Sequence, residues 1–181
     1  AEGVEQLSAE RVSKELLKLL AAPDPRPAVR LMDAAGVLGR VLSGPADLTL
    51  FEAMVDLSGD AVLRLSALLP ADPARVGEVA RGLRLSNAQR DRLVEAVSGE
   101  ATTRLTDAQA RALIYRDGRQ AFEDLVMRAW ASGGDPDGTR RLLALARGWA
   151  RPSLPVGGRD LARLGLKPGP ETGRVLKAFE D

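Results

Sequence analysis

The sequence predicts an all-α fold, a multi-helical body of packed helix pairs with a small helical hairpin at its C-terminal end. Three observations predict it. Apolar residues recur at helical spacing along most of the chain. Helix-start signals (Ser, Thr or Asp, followed by Gln or Pro) stand in front of those stripes. Strand-like alternation is confined to a brief run at Leu48 and Leu50.

Each element has its own signal. Ser8 caps a first helix that runs to about residue 22 and turns Val12, Leu16, Leu19 and Leu20 inward. Asp24-Pro25 opens a second, with Asp24 as cap and Pro25 in the first helical position, and Gly36 ends it as a left-handed cap. The spacing of Leu50, Met54 and Leu57 places a helix over 47–57. Residues 60–69 are mostly apolar, which predicts a central helix. Asp72-Pro73 starts another that ends near Gly82. Capping boxes at Ser86 with Gln89 and Thr106 with Gln109 open two more. After the second box, Ala110, Leu113 and Ile114 share a face. Beyond Gly118, so do Phe122, Leu125, Val126, Ala129 and Trp130, and later Leu142, Leu145, Ala146 and Trp149. Residues 132–138 form the loop before that last stripe. RPSLPVGG, residues 151–158, reads as a Pro/Gly-rich linker. A short helix over 159–164, a tight turn from Gly165 to Gly169 and a final helix from Pro170 follow. The expected organisation is residues 1–42 as the opening helices, 43–150 as the helical body, and 151–181 as linker and basic hairpin.

Composition limits the chemistry. Apolar residues make up 45% of 181, enough for a core in one large domain or two small ones. Lys and Arg total 26 against 25 Asp and Glu, so global charge favours no partner. There is no Cys and no His. Disulfides, Cys nucleophiles, Cys/His zinc sites and His-based acid–base catalysis are excluded. No apolar run approaches the roughly 20 residues of a membrane span, and residues 1–6 are polar and acidic. The expected compartment is the cytoplasm, and the start on Ala1 reads as a processed or excised piece.

Charge is uneven along the chain. From Arg140 to Lys177 there are nine cations and two carboxylates, Asp160 and Glu171. That asymmetry is the sequence form of a phosphate-backbone footprint. The hairpin GRDLARLGLKPGPETGRVLKAF, residues 158–179, joins two helices through a Gly-bounded turn, whose backbone N–H groups suit phosphate. The candidate RNA-binding residues are Arg147, Arg151, Gly157, Gly158, Arg159, Lys167, Arg174 and Lys177. Pro168 and Pro170 supply no N–H, and Glu171 adds negative charge, so a plain capped αα-hairpin competes with an RNA or DNA site. Aromatic residues are only 3%, which leaves shape and phosphate readout rather than base stacking. A second basic cluster, Arg81, Arg84, Arg90 and Arg92, surrounds the Ser86 cap and reads equally well as a solvated helix end.

Two acidic arrangements read as structure. Arg11 and Glu15 stand four apart on one helix face, the spacing of a stabilising ion pair. Asp135-Pro-Asp137 has the spacing of an Mg²⁺-binding pair, but it lies in a helix–helix loop, where either Asp is a helix cap. No metal site and no catalytic residue is expected in this chain.

Three segments carry a family resemblance. Residues 7–42, LSAERVSKELLKLLAAPDPRPAVRLMDAAGVLGRVL, resemble the neck and start of the body of bacterial tRNA nucleotidyltransferases of the CCA-adding and poly(A) polymerase family. Glu10, Arg11 and Glu15 look like the E-R-x-x-x-E neck motif, whose implied role is to hold a helix turn in place. LRLSNAQRDRL, residues 83–93, is similar to the L-x-L-S-N-x-E body segment, with Gln89 in place of the acid. Residues 158–181 are similar to the tail motif G-[KR]-D-L-x-x-L-G-x-x-P-G-P-x-x-G, the most specific of the three.

The resemblance implies Mg²⁺-dependent transfer of CMP or AMP from CTP or ATP to an RNA 3′ end. It places that chemistry in a head with a Gly-Ser turn, a D-x-D pair on a sheet, an R-R-D motif and an E-D-x-x-R template. None of these motifs occurs here. The chain then corresponds to neck, body and tail, docks tRNA or another RNA 3′ end, and is inactive without the head. The competing readings are an α-helical scaffold for an acidic protein partner and a helix-hairpin-helix DNA-binding module.

Overall fold

The computed structural model describes residues 8–99 and 102–150, with the single positions 152, 169 and 174. Every element among them is a helix. In order these are α1 (Ala9–Leu20), α2 (Arg26–Ala34), α3 (Val37–Val41), α4 (Leu48–Leu57), α5 (Ala61–Leu68), α6 (Pro73–Gly82), α7 (Asn87–Ser98), α8 (Asp107–Asp117), α9 (Arg119–Ala131) and α10 (Pro136–Gly148). The described residues adopt the expected all-α class, and the expected C-terminal hairpin lies almost entirely outside them.

The helices begin where short polar side chains can satisfy free N–H groups. Asp47, Asp60, Asp72 and Asp135 accept from the first turns of α4, α5, α6 and α10. Both capping boxes are formed, Ser86 with Gln89 and Thr106 with Gln109. One boundary differs from expectation. Pro25 is the N-cap of α2, and Pro27 lies in its first turn. Asp24 Oδ1 accepts from both the backbone N–H and the side-chain Nε of Arg26, 3.2 and 2.8 Å away. Gly36 does take the left-handed conformation, φ 67°, and the chain turns there straight into the short α3.

Two apolar clusters form the core. The larger draws Leu16 and Leu20 from α1, Phe51 and Met54 from α4, Leu65 and Leu68 from α5 and Leu93 from α7. The smaller joins Ala110 and Ile114 of α8, Phe122 and Val126 of α9, and Leu142 and Ala146 of α10. Met127 and Ala131 of α9 pack against the first cluster, so α9 serves both. As the apolar run predicts, α5 is central, with every residue from Leu63 to Leu68 buried.

Two buried arginines lock α5 in place. Arg64, 3% exposed, donates to the carbonyls of Leu20 (2.6 Å), Ala22 (2.7 Å), Val55 (3.2 Å) and Ser58 (2.5 Å). One guanidinium thereby satisfies the ends of α1 and α4, where helix dipoles favour positive charge. Arg128 of α9 does the same for α5, donating to the carbonyls of Ser66 and Leu69. Burial pushes both guanidinium groups below their ordinary value.

The GGDPDG loop is close-packed. A Cβ at Gly134 would meet the Ala129 carbonyl oxygen and Thr103 Cγ2 at 2.7 Å. The Asp135 N–H donates to Thr103 Oγ1 at 3.0 Å. The chain divides into two units, Ala1–Trp149 and Ala150–Asp181. In the second, Arg174 is a helical, exposed position.

Candidate nucleic-acid interface

α1 is strongly amphipathic, and its two faces have different tasks. Ser13, Leu16 and Leu20 are buried against the body, whereas Arg11, Lys14, Glu15 and Lys18 are exposed. Glu10, Lys14 and Lys18 are spaced i, i+4, i+8 and line up along the outward face. The exposed face thus carries Arg11, Lys14 and Lys18 beside the carboxylates Glu10 and Glu15, on a helix whose C-terminal end is held by Arg64. Lys14 and Lys18 were not among the residues the sequence singles out. Their four-residue spacing was the available signal.

The neck-motif residues are all on α1. Arg11 and Glu15 form no ion pair with each other. Instead Glu10 Oε1 lies 2.5 Å from Arg84 Nη1, between α6 and α7, and this hydrogen bond holds the Glu10 carboxyl below its ordinary range. The 7–42 and 83–93 segments therefore meet in space.

The Arg81–Arg92 cluster divides by role. Arg92 is bound to Asp124 through two hydrogen bonds, 2.7 and 3.0 Å, and to Asp60 at 2.9 Å. Asp124 is almost fully buried and also accepts from Gln120. Asp124 above all holds the Arg92 guanidinium above its ordinary value, so Arg92 is a structural cation. Arg90 pairs with its neighbour Asp91. Arg81 and Arg84 remain on the surface.

Of the candidate RNA-binding residues, Arg147 is exposed in the last turn of α10. It lines a cleft of about 250 Å³ with Arg92, Asp60, Glu123 and Asp124, a mixed rather than purely cationic wall. Arg174 is exposed. Arg151, Gly157, Gly158, Arg159, Lys167 and Lys177 lie outside the described residues.

Among the described residues, no three His, Cys, Asp or Glu side chains converge to hold a metal ion. Asp135 Oδ2 caps α10 by accepting from Gly138 N–H at 2.7 Å. No described helix is long and apolar enough to cross a membrane. Leu31 of α2 and Val37 of α3 are large apolar side chains left exposed.

A helical body whose first helix presents Arg11, Lys14 and Lys18 to solvent, with Glu10 and Glu15 among them, has the character of a binding module. Residues 1–48 match a family model described as the probable RNA and SrmB-binding site of polymerase A. The span holds α1, α2, α3 and the first residue of α4, so the chain carries a poly(A) polymerase-like RNA-binding region at this end. No curated protein matches the chain.

Proposed function

We propose that this chain is the neck, body and tail of a template-independent nucleotidyltransferase of the CCA-adding and poly(A) polymerase type. It docks tRNA or another RNA 3′ end for a catalytic head. The single observation that carries the reading is the overlap of the RNA-binding match with α1, whose exposed face presents Arg11, Lys14 and Lys18. The basic segment 151–181 is the second grip, through Arg151, Arg159, Lys167, Arg174 and Lys177 and the N–H groups of Gly157 and Gly158, and Arg147 of α10 is a further RNA-binding residue. Mg²⁺ and ATP or CTP belong to the head, and the cytoplasm is where it works.

The test is tRNA binding by this chain across a salt series. Binding at low salt that weakens steeply with added salt is expected, because phosphate contacts release counterions. Changing Arg11, Lys14 and Lys18 together to Ala should weaken it. So should changing Arg159, Lys167, Arg174 and Lys177. Absence of binding at low salt defeats the docking role. The same preparation should add no CMP or AMP to tRNA, and detected addition would overturn the assignment of catalysis to the head.

A protein-docking role is the second reading, favoured by exposed Leu31 and Val37 within the matched span. An equal response to a polyanionic peptide and to tRNA would favour it.

A further inference from the structure

We propose that Arg84 extends the RNA-binding face beyond residues 1–48 as a phosphate contact, and that Glu10 occupies its guanidinium until RNA displaces it. The inference rests on the RNA-docking reading of α1 and adds to it a site on the α6–α7 turn.

The backbone supplies the first argument. Arg84 has φ 50°, in the left-handed region. Its N–H donates to the Arg81 carbonyl, and the Leu85 N–H to that of Ala80, 3.0 Å each, which terminates α6. Gly or Asn is the ordinary residue at such a helix end. A side chain there is strained, because its Cβ crowds the following carbonyl oxygen. Nothing in the turn itself calls for arginine.

The side chain supplies the second. Arg84 is 66% exposed and Glu10 51%, so their 2.5 Å pair is solvated. Solvated pairs of this kind contribute little to stability, too little to offset the strain. The guanidinium is a permanently charged fork that suits phosphate as well as carboxylate. Exchanging one solvated anion for another replaces one charge-assisted hydrogen bond with its equivalent.

Position supplies the third. Glu10 heads the row completed by Lys14 and Lys18, so Arg84 sits at the end of that row, with Arg81 exposed one turn earlier. A phosphate backbone running along Lys18 and Lys14 reaches Arg84 next. The carboxylates on these two elements are Glu10, Glu15 and Glu78. Of these, Glu10 is the one bonded to the fork.

The test is a tRNA-binding salt series on the full chain with Glu10→Gln, Arg84→Gln, both together, and Arg84→Gly. Arg84→Gln should bind severalfold more weakly, with a salt slope smaller by about one. Glu10→Gln should bind severalfold more tightly, and that gain should vanish when Arg84 is also Gln. Arg84→Gly should raise the thermal midpoint, because Gly relieves the left-handed strain, while weakening RNA binding. That combination separates ligand contact from a structural role. Wild-type affinity in Arg84→Gln, or a Glu10→Gln gain that survives in the double variant, overturns the proposal. If Lys14→Gln with Lys18→Gln weakens binding while Arg84→Gln does not, the RNA reading stands and this site falls. If the wild-type chain binds no tRNA, both fall.

Discussion

Arg64 Nη1 donates to the carbonyl oxygen of Leu20 at 2.6 Å, across 44 residues of sequence. Helix α1 is thus fastened at its C-terminal end by a charge buried in the middle of the body. The same guanidinium serves Ala22, Val55 and Ser58, so its loss strands the buried carbonyls of Leu20 and Val55 and the half-buried ones of Ala22 and Ser58 at once. Arg64→Met should destabilise the fold by about 3–5 kcal/mol. Urea denaturation measures it, and a change below about 1 kcal/mol would contradict this role.

Arg92 and Asp124 make a second joint, between α7 and α9. Removing Arg92 leaves the Asp124 carboxylate buried, with the neutral Gln120 amide as its remaining donor among the described residues. Arg92→Ala should cost about 3 kcal/mol or more. Pairing Arg92→Met with Asp124→Leu should recover much of that, since no buried charge is then left alone. Equal stability of the single and double variants would show that packing, not charge, dominates the joint.

Asp60 should give the fold part of an acid sensitivity. Burial pushes the Asp60 carboxyl up, but the Leu63 N–H and the Arg92 guanidinium outweigh burial and hold it below its ordinary value. A lowered folded value means that the stabilisation is full above the unfolded value of about 4 and is lost as pH falls through the folded one. Asp60→Asn keeps an effective cap but removes the charge. The variant should be less stable at neutral pH, with the gap closing in acid. Urea midpoints at about pH 7 and pH 3 test this, and a constant gap would contradict it.

The glycines of the loop and of α10 should respond in opposite directions. Gly134→Ala would drive Cβ into backbone and Thr103, and should destabilise by about 1–3 kcal/mol. Gly148 ends α10 with open space around its Cβ position. Gly148→Ala should leave stability unchanged or raise it by up to about 1 kcal/mol. Thermal melts of the two variants decide the matter.

The all-α class, most helix starts and the central place of α5 were legible in the chain, because caps and apolar spacing are local signals. Ser86 with Gln89 and Thr106 with Gln109 needed only one turn of backbone to be recognised. The assignment of the arginines was not legible. Arg64 in AVLRLSAL reads as one polar residue on an apolar helix, and nothing local says that it meets the ends of α1 and α4. Arg84 and Arg92 look alike in LRLSNAQRDRL, yet one is exposed beside Glu10 and the other is consumed by Asp60 and Asp124. A cation's role depends on which anion or carbonyl the fold brings to it and on how much water remains. Sequence spacing determined the helices and their inward faces. Only tertiary packing decided which positive charges hold the protein together and which are left facing a ligand.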